Sequence, residues 1–225
     1  MIERARSPGT WLFVGALVVG SALVASISLL HTRGLLHAYV LFGDVRGMVE
    51  LPVHAGWLSD AGVLLWWSSA SVAMFVVLQC RARGRGRGHG PGHGREPGAG
   101  RLIACLFTAA AITAWLALDD ALLLHERVLP MALGVGQRAI YVAYAAAVAL
   151  WLVWFRRELL TFRPVRLGVA LALFALSVAL DALPDALRPF GEARVLYEDG
   201  AKLLGIIAWS LWLWGAAFDA SARAR

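Results

Sequence analysis

Six stretches of this chain are long and apolar enough, or nearly so, to cross a bilayer, and that limits the fold more than any other feature. In hydrocarbon every backbone amide must be satisfied internally, which leaves only helices or closed barrels. A spanning helix takes about 20 mostly apolar residues. The stretches 11–30, 62–80, 102–124, 139–155, 167–183 and 198–218 meet or approach that length. They predict an all-α, polytopic membrane helix bundle with six transmembrane helices, forming a single integral membrane domain.

Composition agrees. The chain is 60% hydrophobic and 16% charged, whereas soluble domains are about half apolar and a quarter charged. A disordered chain, a disulfide-stapled secreted domain and an ordinary soluble enzyme are excluded. Arg4 and Arg6 precede the first stretch as they would a signal peptide, but its 20 apolar residues exceed a typical h-region, so an uncleaved anchor is expected.

Six spans place both termini on one face, with the segment 81–101 and the connection 156–166. That face carries 14 basic residues against four acids, and the opposite face seven against eleven. The positive-inside rule makes the Arg-rich face cytoplasmic, giving an N-in/C-in protein of the bacterial cytoplasmic (inner) membrane, with the lipid bilayer as its first partner. A net charge of +6 would suggest nucleic acid in a soluble chain; beside membrane spans it sets orientation, and no nucleic-acid partner is expected. Arg supplies 20 of the 21 basic residues and Lys202 is the only Lys, a usage typical of a GC-rich genome. Cys80 and Cys105 form no C-x-x-C and fall at cytoplasmic span ends, where they read as reduced packing residues.

The segment 81–101 holds eight Gly and six Arg. Glycine at that density predicts a flexible cytoplasmic loop. Its arginines suit anionic lipid head groups, and His89 with His93 could form a metal tract, but a solvated, orienting loop needs neither.

The acids carry the functional signal. Eleven of fifteen acids and four of six histidines fall on the extracytoplasmic face, an asymmetry that orientation does not require, because acids contribute little to it. Helical rise puts Asp119 and Asp120 at the boundary of the hydrocarbon, Asp181 and Asp185 in it or at its edge, and Lys202 nearly one turn inside. Groups at that depth normally face the protein interior and pair with one another. Helical phase puts Asp119 and Glu126 about 20° apart on one stripe, while Asp181 with Asp185, and Glu198 with Lys202, share faces at i, i+4. Asp120 and His125 point elsewhere on such a helix, with His125 able to join if the helix ends before Pro130. The candidate cluster is therefore Asp119, Asp120, Glu126, Asp181, Asp185, Glu198, Asp199 and Lys202. A buried Lys shifts its proton affinity where Arg does not, so Lys202 reads either as chemistry or as an ordinary ion pair with Glu198.

Other aromatic and imidazole groups have simpler readings. Trp11, Trp57, Trp151 and Trp154 suit an interfacial aromatic belt. Trp209, Trp212 and Trp214 suit packing or lipid contact. His31, His37 and His54 suit solvated positions at the interface, and the stretch 35–44 a short interfacial helix. No span carries the central histidines that haem b would need.

The runs LDDALLLHE, LDALPDAL and YEDGAKLLGIIAW together resemble a family of uncharacterised bacterial multi-pass membrane proteins. In that family a D-D/E…H-E run closes one span and an E-D/E-x-x-K-x-x-G run opens the last. Asp119, Asp120, His125 and Glu126 match the first run, and Glu198, Asp199, Lys202 and Gly205 the second. The resemblance covers about the C-terminal half and implies no activity. A fainter likeness is to the membrane hydrolases that include alkaline ceramidases, whose His and Asp residues hold zinc. This chain departs from them in having six predicted spans rather than seven, and no paired His in a late span.

Three functions fit. The first is a divalent-metal site of Asp119, His125, Glu126, Asp181 and Asp185, in which activated water would attack a lipid-linked ester or phosphate. The second is a proton- or cation-coupled transporter using paired intramembrane acids, although no broken helix or inverted repeat is evident. The third is a non-catalytic membrane subunit whose charges hold helices together.

Overall fold

A computed structural model of the chain describes residues 8–34, 56–86, 99–182 and 194–223. Among these the backbone is helical, with no strand. The elements are α1 (Pro8–Thr32), α2 (Trp57–Gly86), α3 (Ala99–Leu122), a π turn (Leu124–Val128), α4 (Leu129–Leu133), α5 (Gln137–Trp154), α6 (Arg156–Thr161), α7 (Pro164–Ala182) and α8 (Arg194–Arg223). Six of them, α1, α2, α3, α5, α7 and α8, are long and apolar enough to span a membrane, and each carries one of the six predicted stretches.

The ends differ from the hydropathy reading in an informative way. Helix α2 continues through Gly86, six residues into the Arg/Gly segment expected to be a loop. Hydropathy marks where apolar residues stop, but a helix can run on past that point. Arg81 is held there, its guanidinium 5.0 Å from the Phe107 ring centroid. Residues 87–98, with His89 and His93, lie outside the described residues, as do 35–55.

The chain divides into two compact units, Met1–Leu65 with Val165–Leu211, and Trp66–Pro164 with Trp212–Arg225. In the first, glycines let α8 approach its neighbours. A Cβ on Gly200 would stand 2.8 Å from Val24 of α1, and one on Gly205 would stand 2.7 Å from the Phe174 ring of α7. Apolar side chains gain little by leaving lipid for protein, so close packing through small residues is what associates spans. Trp209 is buried beside Phe174, ring centroids 6.4 Å apart. Arg166, also buried, lies over the Phe13 ring at 4.9 Å.

The second unit is built around tryptophan. Trp151, expected in an interfacial belt, is buried instead: its indole donates to Thr108 Oγ1 at 2.9 Å and meets Trp212 edge-on, centroids 6.1 Å apart. Trp212 donates to the Phe162 carbonyl at 2.9 Å. Hydropathy could not separate these two from Trp57 and Trp154, which are exposed. Cys80 and Cys105 are free and buried, as packing residues would be. Helix α6 forms because Phe155, Leu159 and Phe162 all turn inward. Arg163 then takes a left-handed φ of 50°, which redirects the chain into α7 at Pro164.

One ion pair ties α3 to α6. Arg101 Nε donates to Glu158 Oε1 at 2.7 Å, and Arg101 Nη2 donates to the Trp154 carbonyl at 2.9 Å. Burial pushes the Glu158 carboxyl up, but the hydrogen bond from Arg101, the backbone N–H and the charges of Arg101 and Arg157 outweigh it and hold the carboxyl below its ordinary value. A depressed carboxylate stabilises the fold above its unfolded-state value and loses that contribution as pH falls through the folded-state value. With Arg101 56% exposed, the contribution is screened to about 0.5 kcal/mol. The expected result is a small loss of melting temperature as pH falls through and below the ordinary carboxylate range, one that disappears in Arg101→Gln, read by thermal melts of both chains.

Candidate functional site: a buried Asp–His pair at a broken helix end

Helix α3 stops two residues after its paired aspartates, Asp119 and Asp120. Leu123 takes φ 52°, ψ 43°, a left-handed conformation that costs a non-glycine residue about 1–2 kcal/mol. The next residues form the π turn, and Pro130 falls in the first turn of α4, where its missing N–H is not needed. The break moves His125 off the face it would occupy on a continuous helix. Asp119 Oδ1 accepts the backbone N–H of His125 at 2.8 Å, and Asp119 Oδ2 meets the His125 ring Nδ1 at 2.5 Å. The carboxylate thus caps an amide that the break takes from the helix ladder and grips the ring that follows it.

Helix α5 completes the surroundings. Tyr144 donates its hydroxyl to Asp119 Oδ1 at 2.9 Å. The Tyr141 ring lies 5.2 Å from the His125 ring, tilted by 40°, and Gln137 Nε2 donates to the Tyr141 hydroxyl at 3.0 Å. Asp119 is 3% and His125 7% exposed, so the pair is held inside protein at the end of the third span.

The site differs from the expected stripe. Asp119 meets His125 rather than Glu126, because one left-handed residue and a π turn reset the helical phase between them. The Glu126 side chain is 44% exposed, and its Oε1 lies 3.6 Å from His125 Nε2, too far for a hydrogen bond. Asp120 turns the other way and accepts from the Trp66 indole of α2 at 3.0 Å. Asp181, near the end of α7, and Glu198, Asp199 and Lys202, on the first turns of α8, are partly buried and belong to the other unit. Asp185 lies outside the described residues. Among the described residues no group of three or more His, Cys, Asp or Glu is placed to hold a metal ion.

Tyr144, Tyr141 and Gln137 escaped the sequence reading, although a signal existed. At spacings of three and four residues they mark one polar stripe on an otherwise apolar span.

The chemistry follows from the ring. A carboxylate can only accept, so the ring meets Asp119 through a protonated Nδ1, and Nε2 is the nitrogen turned towards the Glu126 side. A neutral ring presents its lone pair there; a protonated ring points an N–H towards the Glu126 side. Carboxylates then face both nitrogens.

Six helices long and apolar enough to cross a membrane define a multi-pass helical membrane protein. The chain belongs to the family described as Domain of unknown function (DUF8692), whose model matches residues 11–216. That range contains all three runs on which the resemblance to uncharacterised multi-pass proteins rests. No curated protein and no solved structure matches the chain.

Proposed function

We propose that this membrane protein takes up a cation at the Asp119–His125–Glu126 cluster, that the cation is a proton, and that the cluster opens to the extracytoplasmic face of a bacterial cytoplasmic membrane. The observation that carries the reading is the buried imidazole gripped at Nδ1 by Asp119 while Nε2 looks towards a second carboxylate. A hydrogen bond to a carboxylate orients an imidazole and raises its basicity, and histidine is the side chain that changes charge near neutral pH. The excess of arginine on the opposite loops supports the orientation.

A divalent metal is the second reading, favoured by one distance. Two ligands of a tetrahedral zinc at about 2.0–2.1 Å stand roughly 3.4 Å apart, close to the 3.6 Å between His125 Nε2 and Glu126 Oε1. A metal there would suit a membrane hydrolase acting on a lipid-linked ester.

Nitrogen-15 NMR of the detergent-solubilised chain, with His125 assigned by difference against His125→Gln, separates the two. Proton uptake at Nε2 with Nδ1 protonated throughout is the expected result, with no stoichiometric metal by mass spectrometry. A ring that stays in one state across the accessible pH range would overturn the proton reading, and near-stoichiometric zinc lost in His125→Gln would replace it with the metal reading. Proton-linked flux into proteoliposomes that fails in His125→Gln would extend the proposal to a transport cycle.

A further inference from the structure

The end of the second unit opposite the Asp–His pair gathers arginines. Helix α2 ends there, α3 begins there, α6 lies across it and α8 finishes there. Contacts establish the grouping: Arg101 bonds Glu158, Arg81 covers Phe107, Arg163 Nη2 reaches Asp219 Oδ1 at 3.4 Å, and Arg223 lies over the Phe162 ring at 4.7 Å. Eight arginines among the described residues share this end with two carboxylates, Glu158 and Asp219. Arg101 and Arg163 engage both of those acids. Arg83, Arg156 and Arg157 are exposed.

The apolar groups beside them indicate the depth. Trp154 is 70% and Leu160 69% exposed, on either side of Arg156 and Arg157, while Phe155, Leu159 and Phe162 turn inward. The last residue of α5 and helix α6 therefore present an aromatic ring, an aliphatic chain and two guanidinium groups to the outside within seven residues, 154–160. A tryptophan at the level of the head groups, with arginines beside it, is the arrangement that meets phosphate and acyl chain together. Guanidinium matches phosphate oxygens in a two-pronged way.

From this we infer that the arginine end of the second unit, centred on Arg83, Arg156 and Arg157, binds the head group of an anionic phospholipid. The inference is independent of the proton reading, which concerns the other end of α3. Arginines at this level attract acidic lipid over zwitterionic lipid, and the attraction is screened by salt.

The test is native mass spectrometry of the full-length, detergent-purified chain offered equal amounts of phosphatidylglycerol and phosphatidylcholine. Wild type is expected to retain phosphatidylglycerol in clear excess, and Arg83→Gln/Arg156→Gln/Arg157→Gln to lose about tenfold of that preference. The Lys version of the same triple change should keep most of it. Arg138→Gln, at the opposite end of α5, should keep all of it. If the Gln triple fails to fold, Arg156→Gln alone and a rise in ammonium acetate concentration on wild type should each lower the preference. Equal retention of the two lipids by wild type, or a preference untouched by salt and by substitution, would overturn the proposal. So would full competition by soluble glycerophosphate, which would mean a site for free phosphate rather than for lipid.

Discussion

An Asp119→Leu chain is expected to lose about 3 kcal/mol of stability and to fray at residues 123–128. Asp119 accepts three hydrogen bonds, from the His125 amide, the His125 ring and the Tyr144 hydroxyl. A buried donor left without an acceptor costs roughly 1–3 kcal/mol, and water reaching a site at the span end relieves part of the sum. The same bonds offset the left-handed Leu123, so the π turn should open when they go. Hydrogen exchange at residues 123–128 should then quicken by far more than in the middle of α3. Asp119→Asn separates charge from shape. Its Oδ1 can still accept from the His125 amide and from Tyr144, but an NH2 group now faces Nδ1, and two donors cannot share a bond. The ring is expected to give up its Nδ1 proton and carry one at Nε2, at a cost of about 1–2 kcal/mol. Nitrogen-15 shifts read that exchange of tautomers directly. A leucine variant that melts with wild type, or an asparagine variant whose ring keeps its Nδ1 proton, would mean that Asp119 does not hold this histidine.

The contrast between Asp119 and Asp120 shows how far residues can be read ahead of a fold. Spans are legible because hydrocarbon imposes one length and one backbone solution, and all six predicted stretches fall on helices. The polar run that closes the third span was legible too, and it holds both Asp119 and His125. Which of two adjacent aspartates would grip His125 was not. On a continuous helix His125 faces away from Asp119, and nothing in the leucines around it announces a left-handed residue at Leu123. That conformation is stable only in company, with Asp119, Tyr144 and the π turn in place at once. Hydropathy has the same blind spot for tryptophan. Lipid and protein interior are equally apolar, so the scale that found the spans could not say which indoles turn inward. Hydrogen bonding distinguishes them, since a buried indole N–H finds an acceptor. Trp151 has Thr108, and Trp212 has the Phe162 carbonyl.

That distinction sets the second large effect. Trp212→Ala is expected to destabilise the chain by about 3–5 kcal/mol, whereas Trp154→Ala should leave it within about 0.5 kcal/mol of wild type. Both remove an indole from a membrane-spanning helix, so the difference isolates packing from hydrophobicity. Moving Trp212 from lipid to protein gains little by transfer alone. Its contribution comes from filling space that no lipid chain can enter, from its edge-on contact with Trp151, and from the bond to the Phe162 carbonyl. Alanine leaves a cavity and a carbonyl without its donor. Trp212→Phe restores most of the volume but not the N–H, and should cost about 1 kcal/mol. The loss of that bond should also loosen α6, because Phe162 closes it. Thermal melts of the three variants in one detergent, with hydrogen exchange across 156–163, measure both effects. An alanine variant at 212 that melts with the variant at 154 would show that this indole is not the packing centre of the second unit.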